Sequence, residues 1–97
     1  MNLRWDPRAV RDLHDIRRYI AAHSSPAAAE RFRRHLSART ELLRRHPHMG
    51  PISSHPEIRI LARTRYPYRI YYAVQGDEIA ILHIRHTARR TPDDLQP

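Results

Sequence analysis

The sequence has no cysteine, no lysine and only two glycines in 97 residues. Without cysteine there are no disulfides, no thiolate nucleophile and no thiolate metal site, which fits a reducing compartment. The glycines, Gly50 and Gly76, stand far apart, so no glycine-rich phosphate loop exists. No uninterrupted apolar run exceeds five residues, Ile70 to Val74, against the roughly 18 needed to span a bilayer. The opening Met1-Asn2-Leu3-Arg4-Trp5-Asp6-Pro7 lacks the apolar core of a secretory signal. These absences lead us to expect a soluble cytoplasmic protein with no membrane association and no cofactor.

Other chemistry is also missing. The eight histidines invite a metal reading, but His46 and His48, or His83 and His86, offer only two imidazoles at a time. A zinc site usually needs four ligands, and the nearby acids follow no matching pattern, so no metal is expected. Ser53-Ser54-His55 pairs a hydroxyl with an imidazole in a loop, where neighbours cannot be aimed at one another with a third orienting group.

What is present is arginine. All 18 basic residues are arginine, and the net charge is +8. Arginine stays charged at any relevant pH and grips carboxylates and phosphates bidentately; a GC-rich coding bias is the plainer account of the same composition. Residues 1–47 hold 11 arginines against five acids, and residues 48–97 hold seven against five. Glu30 with Arg34 and Glu41 with Arg45 are helix pairs in the favourable orientation, each worth about 0.2–0.5 kcal/mol. Much of the helical charge is therefore ordinary solvated surface.

The length suits a single domain, residues 1–97, which buries roughly 60–68% of its unfolded surface. Leu3 to Trp5 reads as a short edge strand. Asp6-Pro7 is a helix start, a carboxylate for free backbone N–H groups followed by a proline whose missing N–H costs nothing. Ala9, Val10, Leu13, Ile16 and Ile20 then mark one face of a helix to about His23. Ser25-Pro26 repeats the start, and Ala29, Phe32, Leu36 and Leu43 stripe a second helix ending near Arg45. The short link predicts an antiparallel helix hairpin.

Proline-rich loop follows from Pro47 to Pro56. Ile58, Ile60 and Ala62 then suggest a strand with one apolar face. Arg65 to Val74 and the stretch from Ile79 to Arg90 read as a hairpin closed by Gln75-Gly76-Asp77 and ending in a cluster of cations. Tyr68, Ile70, Tyr72 and Val74 share one face of their strand, so at least two of the tyrosines are more simply core than base-stacking platforms. Segregated helices and strands indicate an α+β fold, with the helix hairpin packed on an antiparallel sheet of three to four strands. The tail from Thr91 to Pro97 is expected to be frayed.

The end of the hairpin gathers the candidate functional residues. Arg59, Arg63, Arg69, Arg85, His86, Arg89 and Arg90 lie on or just beyond strands, where backbone geometry directs them. They make a candidate surface for a charged partner. Metal-independent RNA cleavage is the enzymatic alternative; it needs a base, a proton donor and cations for the charged phosphorane.

Several spaced motifs resemble the RelE/ParE toxin family. They are Trp5, Ala9-x-x-Asp12-Leu13-x-x-Ile16-x-x-Tyr19-Ile20, Pro26-x-Ala28-Ala29-x-x-Phe32 and Leu43-x-x-x-Pro47-x-x-Gly50. Tyr66-Pro67-Tyr68-Arg69-Ile70-x-Tyr72 and Ile81-x-x-Ile84-x-His86-x-x-Arg89 complete the set. The likeness covers about residues 3–92. The ending His86-x-x-Arg89-Arg90, followed by Pro92, is similar to the ParE branch. That resemblance implies a toxin of a type II toxin–antitoxin system that stabilises plasmids and inhibits DNA gyrase by protein–protein contact, not an enzyme.

It also implies a hetero-oligomer with a small ParD-like antitoxin, acidic in its C-terminal half, through which alone DNA is bound. RelE-type relatives cut mRNA on the ribosome with sheet cations and an aromatic or histidine near the C-terminus. Here no tyrosine follows Tyr72, but a nuclease of that type would use His86, Arg69 and Arg63. A weakly toxic relative that only binds its antitoxin is a third reading.

Overall fold

The computed structural model describes residues 1–62 and 65–97. Their order is β1 (Asn2–Trp5), α1 (Pro7–His23), α2 (Pro26–Leu42), β2 (Arg59–Leu61), β3 (Tyr68–Gln75) and β4 (Glu78–His86). Both helices start as their sequences direct. The Asp6 carboxylate accepts the Arg8 backbone N–H at 2.9 Å and the Ser25 hydroxyl accepts that of Ala28 at 3.0 Å. Each cap is followed by a proline in the first turn.

The strands form one sheet in the order β1-β4-β3-β2. β2, β3 and β4 are antiparallel neighbours, whereas β1 lies parallel to β4 from Asn2 opposite Glu78 to Trp5 opposite Ile81. The sheet is thus mixed: the last strand comes to lie beside the first, after both helices have crossed one face. The β3–β4 turn has Gly76 at φ 62°, and no other described residue has a positive φ. A positive φ at the first of two turn positions is the type II′ geometry, whose twist matches the hairpin.

The helices cover one face, where Ala9, Phe32, Leu36, Leu43, Leu61, Ile70, Tyr72, Ile79, Ile81 and Ile84 form the main core. The second helix buries Ala29, Phe32 and Leu36 of the predicted stripe; it ends at Leu42, short of the expected Arg45, and Leu43 is buried as its C-cap. In α1, Val10 is 52% exposed and lies outside that core; Leu13, Ile16 and Ile20 pack on it instead. The Glu30 and Glu41 carboxylates turn to Arg33 and Arg44, at 2.7 and 2.8 Å, in place of the expected partners one residue further on.

The opposite sheet face is apolar too. Ile58, Tyr71, Ala73, Ala80 and Leu82 form a second cluster with Leu95, and Ile60 packs against it. In β2 it is therefore Leu61, not Ile60, that enters the main core, because both faces of the sheet are covered. The tail is not frayed: Leu95 is 8% exposed and lies over this outer face.

A bulge sets the phase of β4. Tyr72 pairs with Ile81 and Tyr71 with His83, leaving Leu82 unpaired. The extra residue reverses the alternation beyond it. Ile84 consequently joins Ile79 and Ile81 under the helices, while His83, across from Tyr71, leaves that face.

Candidate functional site

At the far end of the hairpin, Arg69 stands opposite Arg85 and Tyr68 opposite His86. Adjacent pairs on a strand point to opposite faces. Tyr68 and His86 face the helices, with their rings edge-on at 5.3 Å; Arg69 and Arg85 face away. Like charges directly opposite one another destabilise a ladder, so this arginine pair is not explained by folding. Arg69 Nη1 donates to the Thr87 carbonyl at 3.2 Å, leaving most of its fork open.

Beyond β4, Arg85, Arg89 and Arg90 line a shallow pocket of about 330 Å³ with Pro92 and Asp93. Arg89 N–H closes a turn onto the His86 carbonyl at 2.9 Å. On the helix side a larger groove of about 840 Å³ runs between α1, α2 and the hairpin end, lined by Tyr19, Tyr66, Tyr68, Ile84, His86 and Arg89 among others. Arg89 borders both hollows, which makes it the ridge between a cationic outer surface and an aromatic inner one.

The groove floor is built by ring packing. Phe32 meets Tyr66 at 5.0 Å and Tyr68 at 5.2 Å, and His35 meets Tyr66 at 5.0 Å. Burial, reinforced by Arg39 and Arg65, pushes the His35 imidazole below its ordinary range. Burial, with Tyr19 beside it, pushes the Tyr68 phenol up. Tyr68 is therefore a poor base near neutrality. His86 Nδ1 accepts the Ala88 N–H at 2.9 Å, which places the proton of the neutral ring on Nε2.

The residues expected to act together are only partly gathered. Arg69, Arg85, Arg89 and Arg90 share one end of the sheet. Arg59 does not join them: it pairs with Tyr72 further along β3 and donates to the carbonyls of Gly50 at 2.8 Å and His48 at 3.3 Å. It holds the loop before β2 in place. Arg63 lies outside the described residues. Within the proposed nuclease set, His86 and Arg69 point to opposite faces of the hairpin. Ser53 Oγ and the His55 backbone bond each other, at 2.9 and 3.0 Å, while the His55 ring accepts the Glu57 N–H at 3.2 Å.

One constellation was not legible in the sequence. His83, 5% exposed, directs Nδ1 to Asp12 Oδ2 at 2.7 Å and Nε2 to Asp94 Oδ1 at 2.9 Å. Asp12 Oδ2 also accepts the Ile84 N–H at 2.9 Å, just past the point where β1 leaves the β4 edge. Partial desolvation raises the Asp94 carboxyl, but the charge and hydrogen bond of His83, with Arg8 nearby, hold it below its ordinary range. Asp12 belongs to a helix motif, yet nothing local links it to residues 71 positions away.

Comparison with known proteins agrees with this architecture. Residues 3–91 match the family model described as the ParE toxin of the type II toxin-antitoxin system, parDE. Toxin RelE2 of Caulobacter vibrioides is 36% identical over 85 residues, which is 88% of this chain and 93% of that protein. A solved structure described as the chromosomal ParDE TA system from P. aeruginosa superimposes with a TM-score of 0.80 at 27% identity, covering 89% of this chain and 95% of that one. A match over nearly the whole chain, with the same two helices on a four-stranded mixed sheet, shows that the chain belongs to the ParE toxin family of type II toxin–antitoxin systems.

Proposed function

We propose that the protein is a toxin that inhibits DNA gyrase by protein–protein contact through the cationic end of its sheet. The observation that carries this reading is the arginine group Arg69, Arg85, Arg89 and Arg90. Among the described residues it forms a cationic surface whose outer pocket holds one carboxylate, Asp93, while His86 lies in the groove on the helix side. Such a surface suits binding better than bond cleavage, because catalysis of RNA scission needs a base and a proton donor beside the cations.

A small antitoxin, acidic in its C-terminal half, neutralises the toxin in a hetero-oligomer. The net charge of +8 steers an acidic chain and speeds its association. The P. aeruginosa match is likewise to a structure described as a ParDE system. DNA contact by the complex is left to the antitoxin, and the +8 charge of the toxin supplies only salt-sensitive attraction for a polyanion.

A supercoiling assay with purified gyrase tests the main reading. Loss of supercoiling with accumulation of cleaved DNA supports it; full activity with folded toxin in molar excess refutes it. The relative named RelE2, together with His86 in the aromatic groove, favours ribosome-dependent mRNA cleavage as the second reading. Discrete cuts in translated messages, abolished by His86→Ala, would establish that reading instead.

A further inference from the structure

The segment after β4 lies across the outer sheet face and is tied down at three points. Leu95 enters the apolar cluster of Ile58, Tyr71 and Leu82. Arg8 donates to the Gln96 carbonyl at 2.8 Å and to the Asp94 carbonyl, while its Nε is held by Asp6 Oδ1 at 2.8 Å. The third tie is the His83 Nε2 bond to Asp94.

That third tie depends on a proton. An ionised carboxylate only accepts, so an imidazole bonded to a carboxylate through each nitrogen must donate from both. Only the imidazolium does this. When the ring loses one proton, one of the two bonds becomes a lone pair facing an anion. Asp12 is fixed on α1 and is also held by the Ile84 N–H, so the proton remaining on the ring is kept at Nδ1. The bond that fails is the one to Asp94, whose side chain is 61% exposed and free to turn into water.

We propose that residues 91–97 are a releasable strap over the outer sheet face, latched by the doubly protonated His83 between Asp12 and Asp94. The charged and titratable groups facing His83 are Asp12 from α1, Asp94 from the strap and Tyr71 from β3. Arg8 faces Asp94 from the α1 side, and Arg69 and Arg85 are the next pair along the same face of the hairpin. Arg8 keeps its charge throughout, so the change between the closed and the open strap comes from the proton on His83 and not from Arg8, whose bonds to the two carbonyls do not hold the strap down alone. Opening uncovers the apolar cluster under Leu95. It also loosens the pocket where Pro92 and Asp93 meet Arg85, Arg89 and Arg90. This device is independent of whether the toxin's target is gyrase or the ribosome.

The test is ¹⁵N NMR of the full-length chain, titrated upward from about pH 5 until the ring nitrogens of His83 report loss of the imidazolium proton. Backbone order parameters at residues 93–96 are expected to fall from about 0.85 to below about 0.6 with the same midpoint as the ring. Asp94→Asn, at an exposed position, keeps a partner for Nε2 in either protonation state and should leave the strap equally ordered across the titration. A strap that stays rigid as His83 deprotonates, or one that loosens identically in Asp94→Asn, overturns the proposal.

Discussion

Arg69 and Arg85 face each other directly across the β3–β4 ladder, on the sheet face turned away from the helices. Two guanidinium groups in that relationship repel, and among the described residues the pair's one side-chain hydrogen bond runs from Arg69 to the exposed Thr87 carbonyl. Replacing Arg85 by glutamine should therefore leave stability unchanged or raise it by about 0.2–1 kcal/mol. The same change should weaken growth inhibition in a cell-based assay. Chemical denaturation measured beside the growth curve separates the two effects, and a large loss of stability would mean that the pair has a structural role.

Arg89 and Arg90 are exposed and leave the last strand within a tight turn. Exposed side chains of this kind usually change stability by less than about 0.5 kcal/mol. The double variant Arg89→Ala with Arg90→Ala should lose toxicity while keeping its fold and its grip on the antitoxin. Persistence of full toxicity, with antitoxin pull-down unaltered, would remove these two residues from the target surface.

Gly50 and Tyr72 make a paired structural prediction. The Tyr72 hydroxyl donates to the Pro47 carbonyl at 2.9 Å and accepts the Gly50 N–H at 3.0 Å. A Cβ added at Gly50 would stand 2.8 Å from the Ile60 carbonyl oxygen and 2.9 Å from that hydroxyl. Gly50→Ala should cost about 1–3 kcal/mol through overpacking. Tyr72→Phe should cost a similar amount, about 1–3 kcal/mol, by leaving buried polar groups unpaired. Because both act on one contact, the double variant should cost clearly less than the two single losses added together; strict additivity in urea melts would contradict the coupling.

Acid should weaken the start of α1. The side-chain bond from Arg8 is the main reason that Asp6 titrates below its ordinary value of 3.8. A folded value below the unfolded one means the contribution is complete above the unfolded value and disappears as pH falls through the folded one. Asp6→Ser keeps a capping oxygen but carries no charge. Its stability deficit against the parent, read from denaturation midpoints, should be present at about pH 7 and shrink towards about pH 2. A deficit that stays constant would show that the carboxylate's charge contributes nothing.

The helices were legible because their signals are local. Asp6-Pro7, Ser25-Pro26 and the Phe32–Leu36–Leu43 spacing act within a few turns of chain, and each did what its chemistry directs. Ala9 was read correctly and its neighbour Val10 was not, since periodicity cannot say where a stripe ends. The arginine cluster was legible in part. Arg69, Arg85, Arg89 and Arg90 follow from hairpin register, whereas the role of Arg59 depends on where the loop carrying Gly50 comes to lie.

By itself the sequence determined which segments become helix or strand, where the hairpin turns, and that the surface is cationic, because these depend on dihedral preferences, spacing and composition. Only the tertiary structure decided that β1 lies parallel beside β4, that an unpaired Leu82 reverses the faces of the last strand, and that the tail closes over the second sheet face. It also decided which of eight histidines is buried between two carboxylates. The reason is physical: these arrangements are set by contacts between residues far apart in the chain, whose energies appear only once the sheet has closed and brought Asp12 and Asp94 to the two sides of His83.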